Sequence, residues 1–109
     1  MNEQLIDDLK ASRAELVTRG RCKGQYCTGD EKVCSVGALR LVVAAEQYER
    51  LYMTIMNCQL GSDRYMEAYS ALRSHIDGDL TLWEFNDKST DQEVLELWDK
   101  TLADLGGMG

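Results

Sequence analysis

Residues 38–45 constrain the fold more than any other part of the chain. Ala38, Leu39, Leu41, Val42, Val43, Ala44 and Ala45 make this stretch apolar nearly all round. A helix without a polar face has to run through the middle of a domain. With Ser35 as a plausible N-cap and Gly61 as terminator, the spacing predicts a central helix over residues 36–59. Its second half narrows to a stripe of Tyr48, Leu51, Tyr52, Ile55 and Met56, with Glu46, Glu49 and Arg50 turned towards solvent.

The chain has no proline, so glycine provides the punctuation. Residues 2–19 carry Leu5, Ile6, Leu9, Leu16 and Val17 at helical spacing, interrupted by Ser12 and Arg13. Asn2 can cap this helix, and Gly20 can take the left-handed position that ends it. Residues 21–34 lack a helical period and read as a loop or small β-hairpin turning on Gly29-Asp30-Glu31. A third helix follows Ser62 or Asp63, carries Tyr65, Met66, Tyr69, Leu72 and Ile76, and stops at Gly78. Residues 80–85 read as an apolar, extended connector and Asn86-Asp87-Lys88 as a turn. Thr90-Asp91-Gln92-Glu93 is a capping box opening the last helix. That helix buries Val94, Leu95, Trp98, Leu102 and Leu105, and residues 106–109 are expected to fray. The expectation is a mainly α, compact four-helix domain with a short loop or β-hairpin (about 21–34) between its first two helices. Its core is drawn from Leu9, Leu16, Leu39, Val42, Val43, Leu51, Ile55, Leu72, Leu95, Trp98 and Leu102.

At 109 residues the chain suits one domain, residues 1–109. No apolar run approaches the roughly 20 residues that span a bilayer. The acidic start, Met1 to Asp8, lacks the basic and apolar regions of a secretory signal, so a cytoplasmic location with reduced thiols is expected. The net charge of −7 lies entirely beyond Ile76, where nine carboxylates face only Lys88 and Lys100. Direct binding of nucleic acid, which needs clustered Lys and Arg, is disfavoured. An acidic third serves either as a solvated face or as a surface for a basic partner.

Several short motifs carry a resemblance. Arg19-Gly20-Arg21-Cys22-Lys23-Gly24 ends the first helix. Cys34-Ser35-Val36-Gly37-Ala38-Leu39 opens the second, and Trp83-Glu84-Phe85-Asn86-Asp87 precedes the Thr90-led helix. In this order the chain resembles a family of short uncharacterised proteins of actinobacteria and their phages, with a C-x-x-G-A-L helix start and a late aromatic-Asn-Asp turn. Members often carry an aromatic residue where this chain has Arg21. The resemblance implies no reaction or ligand. It implies an origin in, or exchange with, bacteriophage genomes, whose small acidic proteins often bind host proteins.

Three kinds of cysteine chemistry compete with a purely structural reading. Cys22, Cys27 and Cys34, joined by Cys58 or His75, could supply zinc ligands, but no paired C-x2-C knuckle is present. Cys34 and Cys58 would stand roughly 35 Å apart along one helix, so they could not share a site. Cys34 could pair with Cys22 or Cys27 as a disulfide, against the reducing cytoplasm. Cys34 before a helix N-terminus could also act as a nucleophile, with His75 as base. Burial as a small hydrophobe explains it more simply. Glu84, Asp87 and Asp91 match no calcium loop.

No catalytic residue, metal or cofactor is therefore assigned. The expectation is a non-enzymatic, phage-type protein-binding module that modulates a host or defence protein with a basic surface. Trp83, Glu84, Asp87, Asp91, Glu96 and Asp99 are its candidate partner-binding residues, with Trp83 the aromatic expected to be exposed. Inhibition of a nucleic-acid-processing system by charge mimicry is one version, and a metal- or thiol-dependent protein is the alternative.

Overall fold

The computed structural model describes residues 3–28, 30–44, 51–56 and 63–106. Six helices lie within them: α1 (Glu3–Arg19), α2 (Ser35–Ala44), α3 (Leu51–Met56), α4 (Asp63–Arg73), α5 (Leu82–Lys88) and α6 (Asp91–Asp104). The cap at Asn2, residues 45–50 and 57–62 around the second predicted helix, and residues 107–109 lie outside the described residues, as do the side chains of Leu51 and Tyr52. None of the described helices is long and apolar enough to cross a membrane.

The apolar run takes the central place that its lack of a polar face demands. Every residue from Val33 to Leu41 is buried, and α2 packs against α1, α3, α4 and α5. Its first turn depends on Gly37. A Cβ there would stand 2.2 Å from the backbone oxygen of Tyr26, so only glycine lets the loop cross the helix at this height. Leu9, Leu16, Leu39, Ile55, Leu72, Trp98 and Leu102 fill the core as the periodicity predicts. Val42, Val43 and Leu95 are half-buried. Ile6, Leu41, Tyr65 and Ile76, expected on apolar helix faces, are buried as well, and Val33, Leu82 and Leu97 join them.

The polar residues that interrupt the α1 stripe are matched across the core. Ser12 is fully buried. Its hydroxyl donates to the Asp8 carbonyl at 2.8 Å and accepts the Trp98 indole N–H at 2.9 Å. One step along, Asp8 is 2% exposed and is gripped by Arg64 of α4 through two bonds of 2.6 and 2.7 Å. Arg13 reaches Asp99 of α6 at 2.8 Å. These pairings orient α1 against α4 and α6, because a buried carboxylate or indole N–H without a partner is costly.

One expectation is corrected. The connector is not extended: Leu82–Lys88 forms α5, and the expected Asn86-Asp87-Lys88 turn is its last part. Thr81 and Glu84 form a capping box of the same type as Thr90 and Glu93, each threonine hydroxyl accepting the N–H three residues on and each glutamate accepting the threonine N–H. The helix is two turns long, so its apolar run Leu80-Thr81-Leu82-Trp83 reads like a strand. Residues 21–34, expected as a loop or small β-hairpin, are a loop with no named strand among the described residues. It is closed by single bridges, Cys27 with Val33 antiparallel and Arg21 with Val33 parallel, and by a tight turn in which Thr28 N–H donates to the Lys32 carbonyl at 2.9 Å. α5 is thus added to the four expected helices, and α2 and α3 both fall on the span expected for the second.

The two boxes carry a pH prediction. Backbone N–H groups of Thr81 and Thr90 hold the Glu84 and Glu93 carboxyls below their ordinary value of 4.5. A carboxyl that is more acidic folded than unfolded stabilises above the unfolded value, and the contribution drains away as pH falls from 4.5 through the folded value. Urea midpoints measured between pH 7 and pH 3 should fall more steeply for the wild type than for Glu84→Gln/Glu93→Gln, which keeps the hydrogen-bonding shape without the titration. In the same assay Thr81→Ala and Thr90→Ala should each cost about 0.5–2 kcal/mol at neutral pH.

Candidate functional site

The three quoted motifs converge on one buried side chain. Asn86, on the inner face of α5, is fully buried. Its Oδ1 accepts from the backbone N–H of Ser35 at 2.9 Å and from the Ser35 hydroxyl at 2.7 Å. Its Nδ2 donates to the carbonyl of Cys22 at 2.9 Å and to Asp87 Oδ1 at 3.2 Å. Asp87 in turn accepts the N–H of Gly24 at 3.0 Å. One carboxamide therefore holds the loop after α1, the start of α2 and the end of α5 together.

Arg21 completes this junction from the other side. Its side chain is only 6% exposed. It donates to the carbonyl of Asn86, to the carbonyl of Ser89 at 2.7 Å, and to Asp91 Oδ1 at 2.7 Å. The first two acceptors belong to the end of α5, where helix carbonyls lack intrahelical partners. A guanidinium with its rigid fork serves several such acceptors at once. Sequence reasoning saw Arg21 only as a departure from the family pattern, and Asn86 only as a turn residue.

Cys34 is part of the same junction. It is fully buried, and its sulfur accepts the N–H of Gly37 at 3.2 Å while its carbonyl accepts that of Ala38 at 2.8 Å. Cys34 thus caps α2. The expected cap, Ser35, lies within the helix and spends its hydroxyl on Asn86. Burial pushes the Cys34 thiol up from 9.0 to about 11, outweighing the lowering by the Gly37 N–H. Cys22 and Cys27 are raised as well, burial being the largest cause in each. His75 lies 3.5 Å from Asp104. Cys22, Cys27 and Cys34 are free thiols, and no group of three metal-ligating side chains occurs among the described residues. Cys58 lies outside them.

The six predicted partner-binding residues are not one surface in equal measure. Glu84 is engaged in its capping box, Asp87 with Gly24, Asp91 with Arg21 and Asp99 with Arg13. Trp83 is half-buried, its ring edge-on to Tyr26 with centroids 5.0 Å apart. The strand alternation that would expose it gives way to a helix, in which Leu82 and Asn86 face inward and Trp83 lies alongside them. Glu96 is exposed and bonded only to Gln92 of its own helix, at 3.2 Å. It borders a cavity of about 370 Å³ between the α4–α5 connection and α6, floored by Leu80, Phe85 and Leu97 and rimmed by Asp77, Glu93, Glu96, His75, Lys88 and Lys100.

A family model, a family of unknown function (DUF6197), matches residues 1–104. No curated protein and no solved structure matches the chain.

Two measurements check the junction. Asn86→Ala strands the Ser35 N–H and the Cys22 carbonyl in a dry interior, so chemical denaturation should show a loss of about 3–5 kcal/mol. At pH 8, peptide mapping after alkylation should show folded Cys34 reacting about a hundredfold more slowly than the unfolded chain, from its lower thiolate fraction alone.

Proposed function

The chain belongs to this family of unknown function, and for it we propose a non-enzymatic protein-binding module that receives a basic segment of a partner protein. The observation that carries the reading is the cavity between the α4–α5 connection and α6. It joins an apolar floor of Leu80, Phe85 and Leu97 to the carboxylates of Asp77, Glu93 and Glu96, in the third of the chain that holds all the excess negative charge. Apolar contact supplies affinity in such a site, and charge supplies orientation and encounter rate. Lys88 and Lys100 on the same rim set a register, because a basic segment has to pass between them and the carboxylates.

Of the six residues expected from sequence, Glu96 is central to this interface. Trp83, Glu84, Asp87, Asp91 and Asp99 do not line it and have their main tasks inside the fold. The sequence resemblance to phage-exchanged proteins makes a cytoplasmic host or defence protein the partner class, and inhibition of a nucleic-acid-processing system by charge mimicry its specific form. A thiol- or metal-dependent role is the weaker reading, since burial pushes the Cys34 thiol up to about 11.

The test is capture from host lysate at low and high salt, with three baits. Wild type and the control Asp7→Lys, on an exposed part of α1, should retain the same partner at low salt and release it at high salt. Asp77→Lys/Glu96→Lys should retain it roughly tenfold less or worse. Equal retention by the double variant, or no partner on any bait, would overturn the reading.

A further inference from the structure

Arg40 stands apart from the other described arginines. Arg13, Arg19, Arg21 and Arg64 each meet a carboxylate, and Arg73 donates to the carbonyls of Ile76 and Gly78. Arg40 is 9% exposed, yet no described carboxylate or carbonyl receives its guanidinium. Its Nε is sealed from solvent without any hydrogen-bond partner. Among the described residues, the group that meets the cation is the ring of Tyr26, whose centroid lies 4.3 Å from Cζ.

The fold builds this arrangement from its first-turn glycine. Gly37 allows the Tyr26 backbone to cross α2, and the Tyr26 carbonyl is fixed there by the N–H of Cys34 at 3.1 Å. Arg40 is three residues beyond Gly37, on the same side of the helix, so the Tyr26 ring falls over its guanidinium. Trp83 of α5 packs edge-on against Tyr26 from the other direction. Both aromatic rings are half-buried and therefore reach the surface. The Nη groups are not among the sealed atoms, so they form the open end of the site.

We propose that Arg40, Tyr26 and Trp83 form a binding site for a small carboxylate carrying a flat apolar group. A cation taken out of water without a counter-charge is costly, and an incoming anion removes that cost. A guanidinium fork fits the two oxygens of a carboxylate in its plane. The Tyr26 ring already covers one of its faces, which holds the fork in place before the ligand arrives. One cation balances one charge, which favours a monoanionic carboxylate over a phosphate dianion. The rings of Tyr26 and Trp83 supply the apolar contact for the rest of the ligand. This site is separate from the acidic cleft and opposite to it in charge.

Benzoate, acetate and inorganic phosphate are the probes, read by titration calorimetry and by the indole N–H signals of ¹⁵N-labelled protein. Benzoate should bind the wild type saturably, and acetate more weakly. The Trp83 indole signal should move while that of Trp98, buried on Ser12, stays in place. Arg40→Met, which keeps length without charge, should bind benzoate at least about tenfold more weakly and melt no lower than wild type in the absence of ligand. Phosphate binding as tight as benzoate, an unmoved Trp83 signal, or equal benzoate affinity in Arg40→Met would overturn the proposal. So would a lowered melting temperature of the unliganded Arg40→Met protein, since the arginine would then be a structural buttress.

Discussion

The carboxamide of Asn86 is the interaction on which the rest of the structure depends. Helices α2 and α5 are far apart in sequence and meet at a point where each exposes backbone groups. α2 begins with free N–H groups and the loop after α1 presents a carbonyl at Cys22. An amide offers an acceptor and donors in one plane, and Asn86 uses both sides of it, towards Ser35 and towards Cys22. A carboxylate could not donate to Cys22, and an aliphatic side chain could do neither. For a side chain this fully buried, the loss of either partner is felt strongly. Arg21 then ties off the end of α5, so the direction of α5 and the start of α6 follow from the same junction.

This junction explains why some of the fold is legible in the sequence and some is not. α1 and α6 are long enough to show a helical period, and Thr90-x-x-Glu93 marks a start that local chemistry alone decides. The same box stands at Thr81-x-x-Glu84, but there it is followed by only seven helical residues. Leu80, Leu82 and Trp83 then imitate an alternating strand. A helix this short does not hold through propensity. It holds because Leu82 and Asn86 are both fully buried against the rest of the domain, and that is a tertiary fact. The same reasoning covers α1, where Ser12 looks like a break in the stripe until Trp98 supplies its partner.

The candidate surface was partly legible for a related reason. Composition places the excess negative charge beyond Ile76, but it cannot say how much of that charge is already engaged. Asp87, Asp91 and Asp99 are drawn inward by Gly24, Arg21 and Arg13, and Glu84 and Glu93 serve helix starts. A count of acids overstates a surface wherever carboxylates also do architectural work. Arg40 shows the converse. In the sequence it stands unremarked inside an apolar run, and only its position under Tyr26, with no carboxylate on it among the described residues, makes it chemically significant.

Cys34 shows how two opposing influences at one atom are decided. A helix N-terminus lowers a thiol's pKa, and the Gly37 N–H at 3.2 Å does so here. Complete burial raises it, and the outcome near 11 says that burial is the larger effect. The balance follows from the geometry around the sulfur. The backbone N–H groups of Gly37 and, less, of Val36 act on it, while the neighbouring residues Val33, Val36 and Ala38 are all buried. A serine would cap the helix more strongly, but its hydroxyl would bring a more strongly hydrated group into that dry site. Sulfur is a weak acceptor that also packs as a small hydrophobe. It can cap a helix and fill the core from one position, and the burial that suits it to the core is what pushes its thiol up.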